Sequence, residues 1–262
     1  MRSRILPLVV GLLLIGGVSA AAPAGDAGAR GRLDLVTARG ELRVCSTGDY
    51  RPFTYRAPDG SWTGIDLDLA RDLATRLGVR LKIVPTTWST LLPDFRRHCD
   101  IAVGGISITL DRARQAFFSK PYVRDGKTPI TRCENKDRFQ TLDQIDQPGV
   151  RAVVNPGGTN EQFARASLKR ATIVVHPDNN TIFDEIIAGR VDLMMTDATE
   201  TRWQARQRPE LCAVHPEAPF TFSEKAYLVP LGDVVFQQWV DQWLNLALHD
   251  GTWARISKPW LG

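Results

Sequence analysis

The stretch DLMMTDATE, residues 192–200, decides the predicted fold. Its apolar centre has the composition of a buried strand, and its end carries two carboxylates three residues apart, Asp197 and Glu200. Strands in α/β sheets deliver polar residues to ligand sites at their carboxyl ends. This stretch therefore predicts a sheet strand that brings two acidic side chains to a cleft.

On both sides of this stretch the apolar period alternates between about 2 and about 3.6 residues, which predicts alternating strands and helices. Helical periodicity is clearest in GIDLDLARDLATRLG (64–78) and in DVVFQQWVDQWLNLALHDGTWARI (233–256). The repeated βαβ order predicts an α/β protein with mostly parallel sheets flanked by helices. The predicted strands include ELRVCSTGD (41–49), VRLKIVPTT (79–87), CDIAVGGIS (99–107), VRAVVNPGG (150–158) and TIVVHPD (172–178).

The segment YVRDGKTPITRCEN (122–135) interrupts this order. Its Gly and Pro favour an extended connector over a helix, and KAYLVPL (225–231) later runs back. Two extended crossings predict two lobes with a ligand cleft between them, where the carboxyl ends of the strands converge. Lobe 1 is expected to comprise residues 40–130 and 222–262, and lobe 2 residues 131–221.

The first residues, 1–22, predict a cleaved secretory signal. Arg2 and Arg4 precede an apolar run that reaches Val18 and is followed by small residues, which is the order of a signal peptide. A membrane anchor is the alternative, but about 14 apolar residues are fewer than the roughly 20 that cross a bilayer. We therefore expect a periplasmic protein without a membrane anchor.

The composition excludes several function classes. The chain has 262 residues, 43% hydrophobic and 24% charged, which suits one or two globular domains. Loss of Arg2 and Arg4 lowers the formal charge from +4 to +2, so no nucleic-acid partner is expected. The four cysteines have no CxxC spacing, and His98 beside Cys99 is the only close pair, so no metal site is expected.

Several predicted strand ends carry groups suited to an anionic ligand. The turn NPGGT (155–159) precedes a helix, where exposed amides form an anion cradle, although a plain strand-to-helix turn is the alternative. Ser107, Thr109 and Arg112 offer two hydroxyls and a guanidinium that suit a carboxylate. For Arg112 alone, a solvated helix residue is the alternative.

Three aromatic residues, Tyr50, Phe53 and Trp88, lie near the same strand ends. They would form walls for a ring-shaped ligand. Core packing is the alternative for each of them taken alone.

Two sets of segments carry a resemblance. GISITLDRARQAFFSKPY (105–122) resembles the segment of periplasmic amino-acid-binding proteins of the type 2 fold in which a Ser, a Thr and an Arg hold the ligand's α-carboxylate. Most of the chain is similar to the periplasmic cyclohexadienyl dehydratases, which share that fold. The matching segments include TGDYRPFTYR (47–56), PTTW (85–88), RDGKTPITRCE (124–134), NPGGTNEQFARA (155–166), LMMTDATE (193–200) and EKAYL (224–228).

This resemblance implies a two-lobed type 2 periplasmic binding fold and a carbon-oxygen lyase that needs no cofactor. These enzymes convert prephenate to phenylpyruvate and arogenate to phenylalanine, within aromatic amino acid biosynthesis. Loss of carbon dioxide and water makes the ring aromatic, which drives the reaction. The enzyme must hold the substrate and protonate the departing hydroxyl, which is general acid catalysis.

By the same resemblance, Arg112, Thr109 and Thr159 would meet the substrate's side-chain carboxylate, and Asp197 would take the ammonium of arogenate. Glu200 matches the general acid. To serve as one near neutral pH, it needs a pKa that is raised by burial or by a neighbouring anion. An exposed carboxylate at a helix start is the alternative for Glu200.

Three further residues match polar site positions of these enzymes. Lys127 would attract the ring carboxylate, Asn155 would hold the hydroxyl, and Asp49 is a further catalytic candidate. With Glu200, Lys127 and Asn155 distinguish the enzyme from the other functions considered on this fold. These are an amino-acid-binding component of an ABC transporter and the sensor domain of a receptor.

The sequence leaves the preference between prephenate and arogenate open, and also the oligomeric state, a homo-oligomer included. Cys133 and Cys212 both flank the predicted crossings, so we expect a disulfide between them. Cys45 and Cys99 depart from the pattern of the dehydratases, and free thiols or a second disulfide both fit them.

The signal assignment is open to direct test. We expect the mature protein to begin between Ala21 and Pro23, because small residues follow the apolar run there. Amino-terminal sequencing of the protein purified from the periplasm checks this. An intact Met1 in a soluble cytoplasmic pool would contradict it.

Overall fold

A computed structural model describes residues 31–262, and the predicted signal at residues 1–22 lies outside this range. The helices are α1 Arg32–Arg39, α2 Ile65–Arg76, α3 Leu91–His98, α4 Leu110–Ala113, α5 Leu142–Ile145, α6 Thr159–Ser167, α7 Ile182–Ile187, α8 Ala198–Gln207, α9 Val234–His249 and α10 Thr252–Leu261. The strands are β1 Glu41–Ser46, β2 Asp49–Tyr50, β3 Thr54–Arg56, β4 Trp62–Thr63, β5 Arg80–Pro85, β6 Ile101–Ala102, β7 Phe117–Phe118, β8 Val123–Asp125, β9 Lys127–Arg132, β10 Arg151–Val154, β11 Thr172–Val175, β12 Leu193–Asp197, β13 Leu211–Ala213, β14 Ser223–Lys225 and β15 Leu228–Val229. A 3₁₀ helix spans Cys133–Arg138.

The first lobe is built on a sheet of order β5-β1-β6-β15-β7. Strands β5, β1 and β6 are parallel, and β15 runs antiparallel to β6 and β7. Helices α2 and α9 cover this sheet with apolar side chains such as Leu69, Leu73 and Trp243. The apolar stripes that the sequence predicted on these helices are therefore the faces that pack on the sheet.

The second lobe is built on a sheet of order β11-β10-β12-β9-β13. Here β11, β10 and β12 are parallel, whereas β9 pairs antiparallel with both β12 and β13. Each sheet thus has four strands that run in one direction and one strand that runs in the other, β15 in the first sheet and β9 in the second. Both reversed strands follow a crossing of the chain between the lobes. The two-lobed α/β fold predicted from the sequence is confirmed.

The stretch DLMMTDATE, residues 192–200, contains β12, the central strand of the second sheet. All five residues of β12 are buried, and its apolar side chains pack on both faces of the sheet, with Leu193 and Met195 in one cluster and Met194 in another. The strand ends at Asp197, which directly precedes α8. Asp197 and Glu200 therefore stand on a rigid strand-helix junction.

Two antiparallel strands, β8 and β14, pair with each other where the chain crosses between the lobes. Strand β9 follows β8 and lies in the second sheet along its whole length, from Lys127 to Arg132. The lobe boundaries drawn from the sequence stay a prediction. Among residues 31–262, none of the helices is long and apolar enough to cross a membrane.

All four cysteines form disulfides. Cys133 and Cys212 are joined with a Cα–Cα distance of 4.7 Å, which is the predicted pair. Cys45 and Cys99, for which the sequence left two alternatives, are joined with a Cα–Cα distance of 5.7 Å. The first bond ties β13 to the end of β9, and the second ties β1 to the end of α3.

The Cys133–Cys212 bond gives a prediction for stability. It closes a loop with a sequence separation of 79, so its loss should lower the free energy of unfolding by about 4 kcal/mol on the chain-entropy estimate. Urea unfolding of the Cys133→Ser, Cys212→Ser double variant against the oxidised wild type measures this. Peptide mapping without reductant must first show the bond, and free thiols at both positions would refute the pairing.

Candidate active site

The carboxyl ends of strands from both lobes meet around a narrow, nearly closed cavity of about 10 Å³. It lies between the lobes, as expected for this kind of fold. Six of the twelve site residues predicted from the sequence, apart from the cysteines, line it. The lining consists of Tyr50, Trp88, Gly105, Ser107, Asn155, Gly158, Thr159, Asn160 and Asp197.

Asp197 is the charged centre of this site and is only 2% exposed. Its Oδ1 accepts from Lys127 Nζ at 2.8 Å, and its Oδ2 accepts from Lys225 Nζ at 2.5 Å and from the Tyr50 hydroxyl at 2.5 Å. Burial by itself would raise the pKa of Asp197, but the two ammonium groups outweigh burial and lower the pKa below its ordinary value. Asp197 is therefore a fixed anion.

Lys127 is held from three directions. Its Nζ donates to Asp197, to Thr159 Oγ1 at 3.0 Å and to Asn160 Oδ1 at 2.5 Å. An ammonium has three protons, so all are engaged in this structure. Burial lowers the pKa of Lys127 from its ordinary value, against the opposing effect of Asp197. The predicted contact of Lys127 with a ring carboxylate would require it to exchange one of these partners.

Glu200 lies in the first turn of α8 and is 1% exposed. Its Oε2 accepts a hydrogen bond from Thr196 Oγ1 at 2.6 Å. Burial raises the pKa of Glu200 to about 8, and the charges of Asp197 and Asp49 act in the same direction. The exposed helix-start carboxylate considered as the alternative is not what the structure shows.

A hydrogen-bonded chain links Glu200 to the cavity. Thr196 donates to Glu200, and Thr196 Oγ1 in turn accepts from Asn160 Nδ2 at 3.0 Å. Asn160 is one of the lining residues and also approaches Asn155 Oδ1 at 3.5 Å. Glu200 itself lies behind the cavity lining, next to Asp197 in space and one helical turn away in sequence.

Ser107, Thr109 and Arg112, which the sequence grouped as candidates for binding a carboxylate, contact one another in the first lobe. Arg112 is 8% exposed, and its guanidinium donates to the Ser107 carbonyl at 2.9 Å. Thr109 caps α4 by accepting from the Arg112 amide. Burial lowers the pKa of Arg112 to about 10, so the side chain stays charged. A solvated helix position for Arg112 is excluded by this burial.

Three aromatic rings form one wall. Tyr50 stacks on Phe53 with centroids 5.6 Å apart, and Trp88 meets Tyr50 edge-on, also at 5.6 Å. Tyr50 and Trp88 line the cavity, whereas Phe53 is fully buried behind them. Trp88 Nε1 donates to Asp49 Oδ1 at 3.0 Å. Burial raises the pKa of Asp49.

Two glycines allow the close approach of the cavity walls. A Cβ at Gly105 would lie 2.5 Å from the ring of Phe53 and 2.6 Å from that of Tyr50. Gly157 has φ +81°, and a Cβ there would clash with Ser89 of the other lobe. Asp66, which is fully buried, accepts from the amides of Gly104 and Gly105 and so fixes this part of the wall.

The structure thus brings the predicted residues together in two layers. Six line the cavity: Tyr50, Trp88, Ser107, Asn155, Thr159 and Asp197. The other six, Asp49, Phe53, Thr109, Arg112, Lys127 and Glu200, lie next to these, most of them connected by hydrogen bonds or ring contacts. Their individual roles stay predictions.

The sequence reasoning missed Lys225, Asn160 and Thr196. The sequence predicts only a returning strand at Lys225, and the partners of this residue, Ser107 and Asp197, are 118 and 28 residues away. A lysine in an otherwise apolar strand segment was the available signal, because a buried lysine needs a counter-ion. Asn160 and Thr196 lie beside predicted residues, but nothing in their spacing distinguishes them from helix and strand polar residues.

The chain is similar to known proteins along most of its length. The family of bacterial extracellular solute-binding proteins, family 3, matches residues 42–262. The cyclohexadienyl dehydratase of Pseudomonas aeruginosa is 58% identical over 231 residues, which cover 88% of this chain and 86% of that protein. The L-cystine-binding protein TcyJ of Escherichia coli is 26% identical over 97% of this chain and 93% of its own length.

Two solved structures are also similar. An ancestral amino acid-binding protein, AncCDT-1, described as a precursor of cyclohexadienyl dehydratase, matches with a TM-score of 0.81 and 33% identity over 88% of this chain and 99% of its own. An ancestral cyclohexadienyl dehydratase, AncCDT-3, matches with a TM-score of 0.56 and 49% identity over 89% and 97%. The identity is higher to the dehydratases than to the binding proteins.

The raised pKa of Glu200 gives a prediction for stability against pH. Below pH about 4.5 Glu200 holds its proton in both the native and the unfolded state, so it adds no pH dependence to the free energy of unfolding. Between that pH and about 8 the unfolded state alone releases it, so the wild type loses stability as pH rises. Glu200→Gln removes this loss, and its stability relative to wild type should increase by on the order of 2 to 4 kcal/mol from pH 5 to 8.

Denaturant unfolding of both proteins across that pH range measures the difference. Glu217→Gln is the matched control, since the side chain of Glu217 is 85% exposed, and it should follow the wild type. A constant difference between Glu200→Gln and wild type would mean that Glu200 is ionised in the native protein at neutral pH.

Proposed function

The chain belongs to the bacterial extracellular solute-binding proteins, family 3, and we propose that within this family it is a cyclohexadienyl dehydratase, a lyase that acts on prephenate and arogenate. The 58% identity to such an enzyme supports this. The structural observation that carries the proposal is the buried Glu200, whose pKa is raised to about 8. A binding protein has no need of a protonated carboxyl beside its ligand cavity, whereas this reaction does.

Substrate recognition rests on the first lobe and on α6. The side-chain carboxylate of the substrate lies between the Arg112 guanidinium, the Ser107 and Thr109 hydroxyls and Thr159 at the start of α6. The buried guanidinium has one hydrogen bond, to the Ser107 carbonyl, so further donors remain for a carboxylate. The aromatic wall of Tyr50 and Trp88 faces the ring.

The reaction moves electrons within the substrate. The bond from the ring to the ring carboxylate breaks and releases carbon dioxide, and its electron pair makes the ring aromatic as the carbon-oxygen bond of the hydroxyl breaks. The departing oxygen takes a proton from Glu200 and leaves as water. Glu200, now ionised, regains its proton from solvent before the next turnover, so atoms and charge balance.

Proton transfer requires the hydroxyl to come within about 2.6–3.2 Å of the Glu200 carboxyl, or of one bridging water. Asn160 lines the cavity and donates to Thr196, the hydrogen-bond partner of Glu200, and Asn155 lies beside Asn160 on the cavity surface. We assign Asn155 to the substrate hydroxyl. Lys127 exchanges its bond to Thr159 for one to the ring carboxylate, while its ion pair with Asp197 stays in place.

The protein carries out this reaction in the periplasm. The signal predicted at residues 1–22 and the extracellular family both support a periplasmic protein that serves phenylalanine biosynthesis. The substrate is a small molecule that enters the cavity between the lobes.

The direct test is turnover of prephenate by the purified protein, followed through the absorbance of phenylpyruvate in alkali. We expect the wild type to form phenylpyruvate, and Glu200→Gln to keep substrate binding but lose about 10² or more in kcat, the contribution of a positioned acid. The kcat of the wild type should also fall as pH rises through the pKa of Glu200 in the complex.

Glu217→Gln, at a side chain that is 85% exposed, serves as the matched carboxylate control and should retain activity. Heat stabilisation by prephenate separates binding from chemistry in every variant. Binding of prephenate without any phenylpyruvate would favour a transport binding protein. A folded Glu200→Gln protein with more than about a tenth of the wild-type kcat would remove Glu200 from the acid role.

A further inference from the structure

Lys225 is a fully buried lysine whose ammonium lies at the ligand cavity. It stands at the end of β14, where the chain returns to the first lobe. Its Nζ donates to Asp197 Oδ2 at 2.5 Å and to Ser107 Oγ at 2.9 Å, and lies 3.4 Å from the Tyr50 hydroxyl. All three of these partners line the cavity. The Lys225 ammonium therefore lies directly behind the residues that line the cavity.

The Lys225 ammonium is paired with Asp197, the carboxylate that an ammonium on a ligand would need as its counter-ion. Asp197 is the only acidic residue among those that line the cavity in the described part of the chain. Its Oδ1 is taken by Lys127, and its Oδ2 by both Lys225 and Tyr50. An ammonium on the substrate would meet Asp197 already neutralised, with Lys127, Lys225 and Arg112 around it. A buried ammonium without a counter-ion is strongly disfavoured.

The Ser107 hydroxyl is arranged to donate a hydrogen bond to a ligand acceptor and not to accept one from a ligand ammonium. Because Lys225 donates to its Oγ, one lone pair of the hydroxyl is occupied and its own proton is free to point into the cavity. A keto oxygen accepts such a proton, whereas an ammonium offers only further donors.

We infer that Lys225 acts as a specificity-determining residue that makes the site select the keto acid prephenate over the amino acid arogenate. The inference rests on the proposed dehydratase function and concerns the same cavity. Lys225 acts through Asp197 and Ser107, so it is a positioning residue. Arogenate is turned over less efficiently because its ammonium has to displace Lys225 from Asp197.

The test compares kcat/KM for prephenate and for arogenate in the wild type, Lys225→Met and Lys225→Arg. We expect the wild type to favour prephenate by about tenfold or more, as for a site that leaves a substrate polar group unpaired. Lys225→Met removes the ammonium from Asp197 Oδ2 and leaves that oxygen only the Tyr50 hydroxyl, so it should reduce this ratio at least about tenfold. Lys225→Arg keeps a cation there and should retain the preference. Lys136→Met, at an exposed lysine, is the control.

A merely structural loss in Lys225→Met lowers both kcat/KM values alike and leaves their ratio unchanged, so an unchanged ratio overturns the inference. Equal use of both substrates by the wild type, or a preference for arogenate, overturns it too.

Calorimetric binding of phenylpyruvate and L-phenylalanine, which differ at the same carbon, separates this inference from the proposed function. Preferential binding of phenylpyruvate that is lost in Lys225→Met supports the inference even if prephenate is not turned over, in which case only the dehydratase function fails. Preferential binding of phenylalanine by the wild type contradicts the inference.

Discussion

The buried ion pairs of Asp197 are the interaction on which the rest of the site depends. Lys127 comes from the second sheet and Lys225 from the strand that returns to the first, so the carboxylate joins both lobes at the cavity. Removal of one partner from a buried ion pair costs about 3–5 kcal/mol, because it leaves a charge unpaired. The arrangement therefore fixes how the lobes meet as well as the charge at the cavity wall.

The same anion has a second consequence one helical turn later. Asp197 keeps its charge because it has two ammonium partners, and Glu200 keeps its proton because it is buried and lies near that charge. Two carboxyl groups on one strand-helix junction thus differ in protonation at neutral pH, which is how acid and anion roles are separated in enzyme sites. Under the proposed function, this difference would add acid chemistry to a binding-protein fold that keeps its cleft.

Much of this could be predicted from the sequence, since the informative features are local. The apolar run before Asp197 and Glu200 predicted a buried strand, which the structure shows. The sequence also grouped Ser107 with Arg112, and the two are hydrogen-bonded, while their binding of a carboxylate stays a prediction. Lys225 could not be placed, because its neighbours are set by the pairing of β14 with β8 and by the closing of the lobes. The sequence also could not decide between free thiols and a disulfide for Cys45 and Cys99, because the bond depends on where α3 ends beside β1.

The central claim is that Glu200 holds a proton in the native protein at neutral pH. An infrared difference spectrum between the wild type and Glu200→Gln at pH 7 tests this most directly, because the carbonyl stretch of a protonated carboxyl is distinct from the bands of a carboxylate. We predict that the protonated band is present at pH 7 and gives way to carboxylate bands as pH rises past about 8. Carboxylate bands from Glu200 already present in full at pH 7 would contradict the account.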